Sequence, residues 1–226
     1  MITQLISIAG LKSLILSMMI FLSPIRRDYH ENPTDRAARF EQVASDIAEV
    51  SLDQEEQSLF KGQFGRVHTA LFLTSVAFNE SGYRSDVDNG EKKGDNGRAF
   101  CLMQIHPNQP PFNFTPEYLA DRKNCFRAGL RMIIAHNCSN DDLRQKMRSY
   151  LTGSCKTREN PKEEQAITRA SMNEAYGYMR FRRHLEGVNF KYSELLQSED
   201  EGKDASNNVI ESRILAMAGV VKINNE

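Results

Sequence analysis

The chain opens on a nearly continuous apolar stretch and then settles into segments whose apolar residues recur every three or four positions. Met1 to Ile25 carries one charged side chain, Lys12. Ser13 to Leu22 is an unbroken run of apolar residues and serines, followed by Ser23-Pro24 and then Arg26-Arg27. A charge, an apolar run and a helix breaker outline a signal peptide, without an A-x-A cleavage site. The stretch is also long enough to span a bilayer if Lys12 is tolerated. Arg26 and Arg27 on its far side argue against simple export of the C-terminal part and leave an anchor's orientation open. A third reading is a buried N-terminal helix.

Asp28 to Asp35 is polar, contains a proline, and reads as a linker. Thr34 or Asp35 would cap a helix running to about Val50, with Ala38, Phe40, Val43 and Ile47 near one face. A second, acidic helix is predicted over Leu52 to Lys61, and Gly62 and Gly65 break the chain. Arg66 to Glu80 is the most apolar helix, through Val67, Ala70, Leu71, Leu73, Val76, Ala77 and Phe78. Apolar residues nearly all round predict a central buried helix, stopping at Ser81-Gly82.

Gly82 to Phe100 is a loop rich in Gly, Asp and Asn, Cys101 to Ile105 a short extended segment, and Pro107 to Phe114 a proline-rich loop. Thr115-Pro116 pairs an N-cap with proline at the first helical position. A longer helix is predicted from Arg122 to His136. Ser139 and Asp142 outline a capping box for a helix to Leu151. Asn160-Pro161 starts another that runs to Leu185. Ser198 to Asn208 reads as a charged, mobile linker, and Val209 to Val221 as a last amphipathic helix. The fold class is mainly α, without internal repeats.

Composition narrows the class. The 226 residues are 40% hydrophobic and 26% charged, enough for one sizeable domain and unlike collagen, a coiled coil or a disordered chain. A mean hydropathy of -0.53 excludes a multi-span membrane protein. Lys+Arg is 29 and Asp+Glu is 30, so no global field draws the chain to nucleic acid, and no nucleic-acid partner is expected. The cluster Arg180, Arg182, Arg183 and His184 reads as a solvated helix face, with contact to an anionic polymer as the alternative.

Cys101, Cys125, Cys138 and Cys155 show no CxxC spacing and no zinc-finger histidines. They fit two disulfides in an oxidising compartment, or four small buried residues. Cys125 and Cys138 flank one predicted helix, about 20 Å apart, beyond a disulfide's Cα span of roughly 4.4–6.8 Å. The expected pairs are Cys101–Cys125 and Cys138–Cys155. Asp86 to Glu91 resembles a calcium loop, but Gly90 falls where a ligand should be and Glu91 where the glycine should be.

The informative stretch is Asn79 to His106, NESGYRSDVDNGEKKGDNGRAFCLMQIH. Glu80 ends the most buried helix. Desolvation raises a carboxyl pKa, and a carboxylic acid still protonated near neutral pH can donate to a leaving oxygen. A solvated helix-end glutamate is the competing reading.

Glu80-Ser81, the aromatic Tyr83, Gly97 and then Leu102-Met103-Gln104-Ile105 resemble the signature of soluble lytic transglycosylases and goose-type lysozymes. In that signature E-S-x-[FY] is followed by a variable loop and G-x-x-G-L-M-Q-[IV]. Gly94-Asp95-Asn96-Gly97, with Phe100 and Leu102-Met103-Gln104, is similar to the goose-type version. Asn124 to Gly129 and Ser149-Tyr150-Leu151-Thr152-Gly153 extend the resemblance more weakly. It covers about residues 66 to 185. Cys101 stands where the family has the glycine of G-L-M-Q, and Leu151 where A-Y-N-x-G has asparagine.

The resemblance implies a lysozyme-like α fold with a short β or extended segment beside the cleft. It implies cleavage of the β-1,4 bond between N-acetylmuramic acid and N-acetylglucosamine in peptidoglycan glycan strands, without cofactor or metal. Glu80 would protonate the glycosidic oxygen and then act as base on the muramic 6-hydroxyl, closing a 1,6-anhydro ring. Ser81, Tyr83, Met103, Gln104 and Tyr150 would hold the substrate. Asp95 is the fork: a second carboxylate roughly 6.5–9.5 Å from Glu80 would leave room for water and favour inverting hydrolysis. Asp86 and Asp88 could take its place.

On this reading residues 1–27 are a signal, an anchor or an apolar helix, and 28–65 a helical extension. Residues 66–190 form the catalytic domain, and 191–226 a polar linker and amphipathic helix. The protein would be exported, or held to the membrane through residues 1–25, facing the wall; a phage origin is compatible with this, and the oligomeric state is open. The alternatives are a goose-type hydrolase, a non-catalytic wall-associated structural protein, and an unrelated helical regulator.

Overall fold

A computed structural model describes residues 6–24, 31–135, 143–152 and 156–196. These are mainly helical: α1 (Ile8–Leu22), α2 (Pro33–Leu52), α3 (Gly65–Ser81), α4 (Ser85–Asp88), α5 (Pro116–Ala120), α6 (Arg122–Ala135), α7 (Leu143–Thr152) and α8 (Pro161–Gly187). As its composition dictates, α3 is the centre. Val67, Ala70, Leu71, Phe72, Leu73, Val76 and Ala77 are wholly buried, and α1, α2, α6 and α8 pack around the helix.

The N-terminal apolar run belongs to this core. Ser7 caps α1 by accepting the Gly10 N–H, and Leu11, Leu14, Ile15, Met18 and Met19 are completely buried against the neighbouring helices. The Ser7 N–H donates to the Leu195 carbonyl at 2.8 Å, joining the start of α1 to the 3-10 turn Tyr192–Leu195 beyond α8. In the structure Ile8–Leu22 is a helix packed into the core. No helix among the described residues is long and apolar enough to cross a membrane.

Capping chemistry fixes several helix starts. Asn32, rather than the expected Thr34 or Asp35, caps α2, accepting from the Asp35 N–H ahead of Pro33. Thr115 caps α5 ahead of Pro116, and Asn160 caps α8 ahead of Pro161. α6 begins at Arg122, as predicted.

Two expectations fail. Residues 53–64 are not the predicted acidic helix but an irregular strap. The Arg66 guanidinium collects the carbonyls of Ser51, Asp53 and Glu56, Thr69 Oγ1 accepts the Leu59 N–H, and the buried Glu56 carboxylate faces Arg131. These longer-range bonds satisfy the backbone groups that a helix would have used internally. Cys101 to Ile105 is a turn rather than an extended segment. Among the described residues the β pairing near the cleft is limited to the isolated bridges Gly94–Ala99 and Phe100–Ile105.

Cys101 and Cys125 form a disulfide, clamping that turn onto the first part of α6. Cys138, Cys155, the capping box at Ser139 and Asp142, and the segments Ser198–Asn208 and Val209–Val221 lie outside the described residues.

Candidate active site

Glu80 is the penultimate residue of α3, and Gly82 closes the helix behind it. At φ +61° Gly82 takes the left-handed conformation natural to glycine and returns its N–H to the Phe78 carbonyl at 2.7 Å. The acid is thereby held at the rim of the apolar core. Burial pushes its carboxyl up from the ordinary 4.5 to about 7.

The opposite wall is the turn after the glycine-rich loop. Phe100 and Ile105 exchange backbone hydrogen bonds of 2.9 Å in both directions, closing the turn on itself. Within it Gln104 sits at φ +50° and donates its Nε2 to the Cys101 carbonyl at 2.9 Å. A Cβ on Gly94 would lie 1.7 Å from Gln104 Oε1, so the amide occupies the space a side chain at residue 94 would need. α7 supplies the third side: Tyr150 donates its hydroxyl to the Met103 carbonyl. Together they enclose an open pocket of about 580 Å³, walled by Glu80, Gln104, His106, Gln109, Tyr150 and Thr152, with Met132 and Leu151 among its apolar lining.

The expected site residues divide. Glu80, Gln104 and Tyr150 meet in one pocket. Met103 contributes its carbonyl to Tyr150, while its side chain is fully buried; a Cβ on Gly129 would come within 2.5 Å of Met103 Cε. Ser81 does not support Glu80 through its hydroxyl. That group donates to the Ala77 carbonyl one turn back and accepts the Tyr83 N–H.

Tyr83 is a core residue with no exposed surface. Its ring packs on Phe40 and Phe78 and its hydroxyl donates to the Thr74 carbonyl, so it offers a glycan nothing. The helix stop at Gly82 turns the chain inward at this position, which outweighs the pull of a phenol toward water.

The three aspartates also separate. Asp88 is buried between Arg39 and Arg122, with 1% of its side chain exposed, and cannot meet a substrate water. Asp86 is paired with Arg84, whose hydrogen bond holds its carboxyl below the ordinary range. Asp95 is 41% exposed, at φ +45° in the tight Gly94–Gly97 turn. It pairs with Arg98 at 2.8 Å and with His106 Nε2 at 3.2 Å. Asp95 does not line the pocket, but His106 does, so Asp95 reaches the site through its histidine.

His106 is the principal residue that motif reasoning passed over, although it directly follows Met103-Gln104-Ile105. Gln109 and Met132 carry no sequence signal, because they come from two separate elements, whereas Thr152 belongs to the segment of weaker resemblance around Tyr150. The arrangement places one acid, its carboxyl held up to about 7, in an open groove lined by an amide, a phenol and an imidazole. Such a set can deliver a proton to an oxygen leaving group and hold a polyhydroxylated ligand. Among the described residues there is no cluster of side chains able to hold a metal ion. Comparison of the chain with family models, with curated proteins and with solved structures finds no match.

Proposed function

We propose that the protein cleaves the β-1,4 bond between N-acetylmuramic acid and N-acetylglucosamine in peptidoglycan, as a lytic transglycosylase using Glu80 as acid and then base. The observation that carries this reading is the Glu80 carboxyl at the pocket wall, with its pKa pushed to about 7 by burial. About half of it is then protonated at neutral pH, the compromise a group needs when it must both give and take a proton.

The carboxylic acid donates its proton to the glycosidic oxygen as the bond from that oxygen to muramic C1 breaks. The resulting carboxylate takes the proton of the 6-hydroxyl while that oxygen bonds to C1. The products are a 1,6-anhydromuramic end and a free 4-hydroxyl on N-acetylglucosamine, and Glu80 returns to its starting state. Gln104 and Tyr150 supply polar contacts along the groove. The backbone supports the same reading: Cys101, standing where the resembling family has glycine, sits at φ +58°, in the region glycine favours. Such a substrate would put the protein on the wall side of a membrane, or in a phage that attacks walls.

A second reading, hydrolysis, draws on the Asp95–His106 pair at the pocket edge, which could orient water in place of the 6-hydroxyl. Mass spectrometry of muropeptides released from purified sacculi decides between them, since an anhydro end is lighter than a reducing end by one water. Glu80→Gln should lower release by at least about 10²-fold while leaving the fold intact. Full activity of a folded Glu80→Gln protein would refute both readings. Asp95→Asn should retain cleavage under the transglycosylase reading. Its complete loss, with reducing-end products from the unmodified protein, would favour hydrolysis.

A further inference from the structure

The loop leaving the pocket carries a feature that the cleavage chemistry does not use. Gln109 and Pro110 line the pocket, and the chain continues at once through Phe112 and Phe114 to Tyr118 in α5. The three rings form a ladder. Phe114 lies on Tyr118 with centroids 5.3 Å apart and planes inclined by 13°, and Phe112 lies on Phe114 at 5.2 Å and 16°. Tyr118 and Phe114 pack against the hydrophobic core, next to the buried Leu119. Phe112 is the outermost rung and keeps 37% of its surface in solvent even though one face rests on Phe114.

The backbone fixes the ladder. The Asn108 N–H donates to the Phe114 carbonyl at 2.8 Å and the Asn113 N–H to the Gln109 carbonyl at 3.0 Å. Both asparagines adopt the left-handed conformation, at φ +56° and +51°. Asn is among the few non-glycine residues that take it readily. A single exposed phenylalanine is ordinary on a protein surface. A ring held rigidly at the end of a core-anchored stack, two residues beyond a cleft wall, is a prepared flat surface, with little side-chain entropy left to lose on contact.

We propose that Phe112 is a stacking platform for a sugar ring of the strand that passes through the Glu80 cleft, so that the protein grips the glycan beyond the bond it cuts. The inference rests on the proposed function. The occupant is set by chemistry: a β-1,4-linked pyranose presents a face of axial C–H groups. Such a face suits the electron-rich face of an aromatic ring, while its equatorial hydroxyl and acetamido groups stay in water. Continuity with the cleft comes from the chain itself, since Gln109 and Pro110 line the pocket and Phe112 follows two residues later.

The test is calorimetric titration of peptide-free glycan strands, prepared from sacculi with an amidase, into the full-length Glu80→Gln protein with and without Phe112→Ala. Phe112→Ala should weaken binding of long strands about tenfold, equivalent to about 1.4 kcal/mol. The deficit should shrink as the strand is shortened toward a disaccharide, and Phe112→Tyr should restore affinity. Circular dichroism and thermal unfolding confirm that each variant is folded. Equal long-strand affinity with and without the Phe112 ring, or a deficit independent of strand length, would overturn the platform while leaving the Glu80 chemistry standing. Failure of the otherwise unmodified protein to cleave sacculi, together with no strand binding by the Glu80→Gln protein, would overturn the proposed function and the platform with it.

Discussion

The Glu80 carboxyl should weaken the fold it belongs to, and replacing it should reveal by how much. Burial moves its pKa from the ordinary 4.5 to about 7. Each pKa unit is worth about 1.4 kcal/mol, so the ionised acid costs the folded state about 3 kcal/mol relative to the unfolded chain. The sign depends on which state holds the proton. Below pH 4.5 both states are protonated and there is no penalty. Between 4.5 and 7 the unfolded chain ionises while the native one resists, and native stability falls. Above 7 both are ionised and the full cost remains.

Gln has nearly the same shape and does not titrate. Glu80→Gln should therefore match the unmodified protein at pH 4 and exceed it at pH 8. Because the carboxyl borders an open pocket, the gain is capped at about 3 kcal/mol. At roughly 2–4 °C per kcal/mol for a chain of this length, melting should rise by up to about 10 °C at pH 8. Thermal and urea unfolding of both proteins across pH 4–8 measures this directly. A difference that does not grow with pH, or a variant less stable at pH 8, would refute the desolvated-acid account. Activity of the unmodified protein should fall as pH rises through about 7, because the proton donor is lost.

Tyr83→Phe removes a buried hydroxyl that donates to Thr74. It should cost about 1 kcal/mol of stability in chemical unfolding and leave cleavage unchanged; loss of activity at unchanged stability would return Tyr83 to the site. Replacing Cys101 and Cys125 together by Ser opens a cross-link of sequence separation 24. By loop entropy this should cost about 3 kcal/mol, visible as a lower urea midpoint. Asp88→Asn strips the shared carboxylate from Arg39 and Arg122 and should destabilise by about 3 kcal/mol in the same assay. Gly94→Ala places a methyl where Gln104 Oε1 sits; it should lower muropeptide release several-fold at nearly unchanged melting temperature.

Much of the helical framework was legible in the chain because its determinants are local. Asn160-Pro161 and Thr115-Pro116 announce helix starts through the side-chain oxygen and the fixed φ of proline. Gly82 announces the end of α3. The apolar circumference of Arg66 to Glu80 already says that this helix is buried, and that an acid at its end is short of water.

Other features depend on partners distant in sequence. The acidic segment after Leu52 has helical propensity, yet Arg66, Thr69 and Arg131 draw its polar groups into a strap instead. The apolar N-terminus reads equally as a signal, an anchor or a core helix, because hydrophobicity alone does not say which apolar surface will cover it; in the structure α1 packs on α2, α3 and α8. The motif placed Ser81, Tyr83 and Met103 beside Glu80 in order, but which way each side chain turns depends on the helix stop at Gly82 and on the tight contact between Met103 and Gly129. The same packing sends Asp88 to two arginines and ties Asp95 to His106. The sequence by itself determined most of the helices and the place of Glu80 at the end of the most apolar one. The direction of every side chain around that acid was settled only when distant segments competed for the same buried space and the same hydrogen bonds.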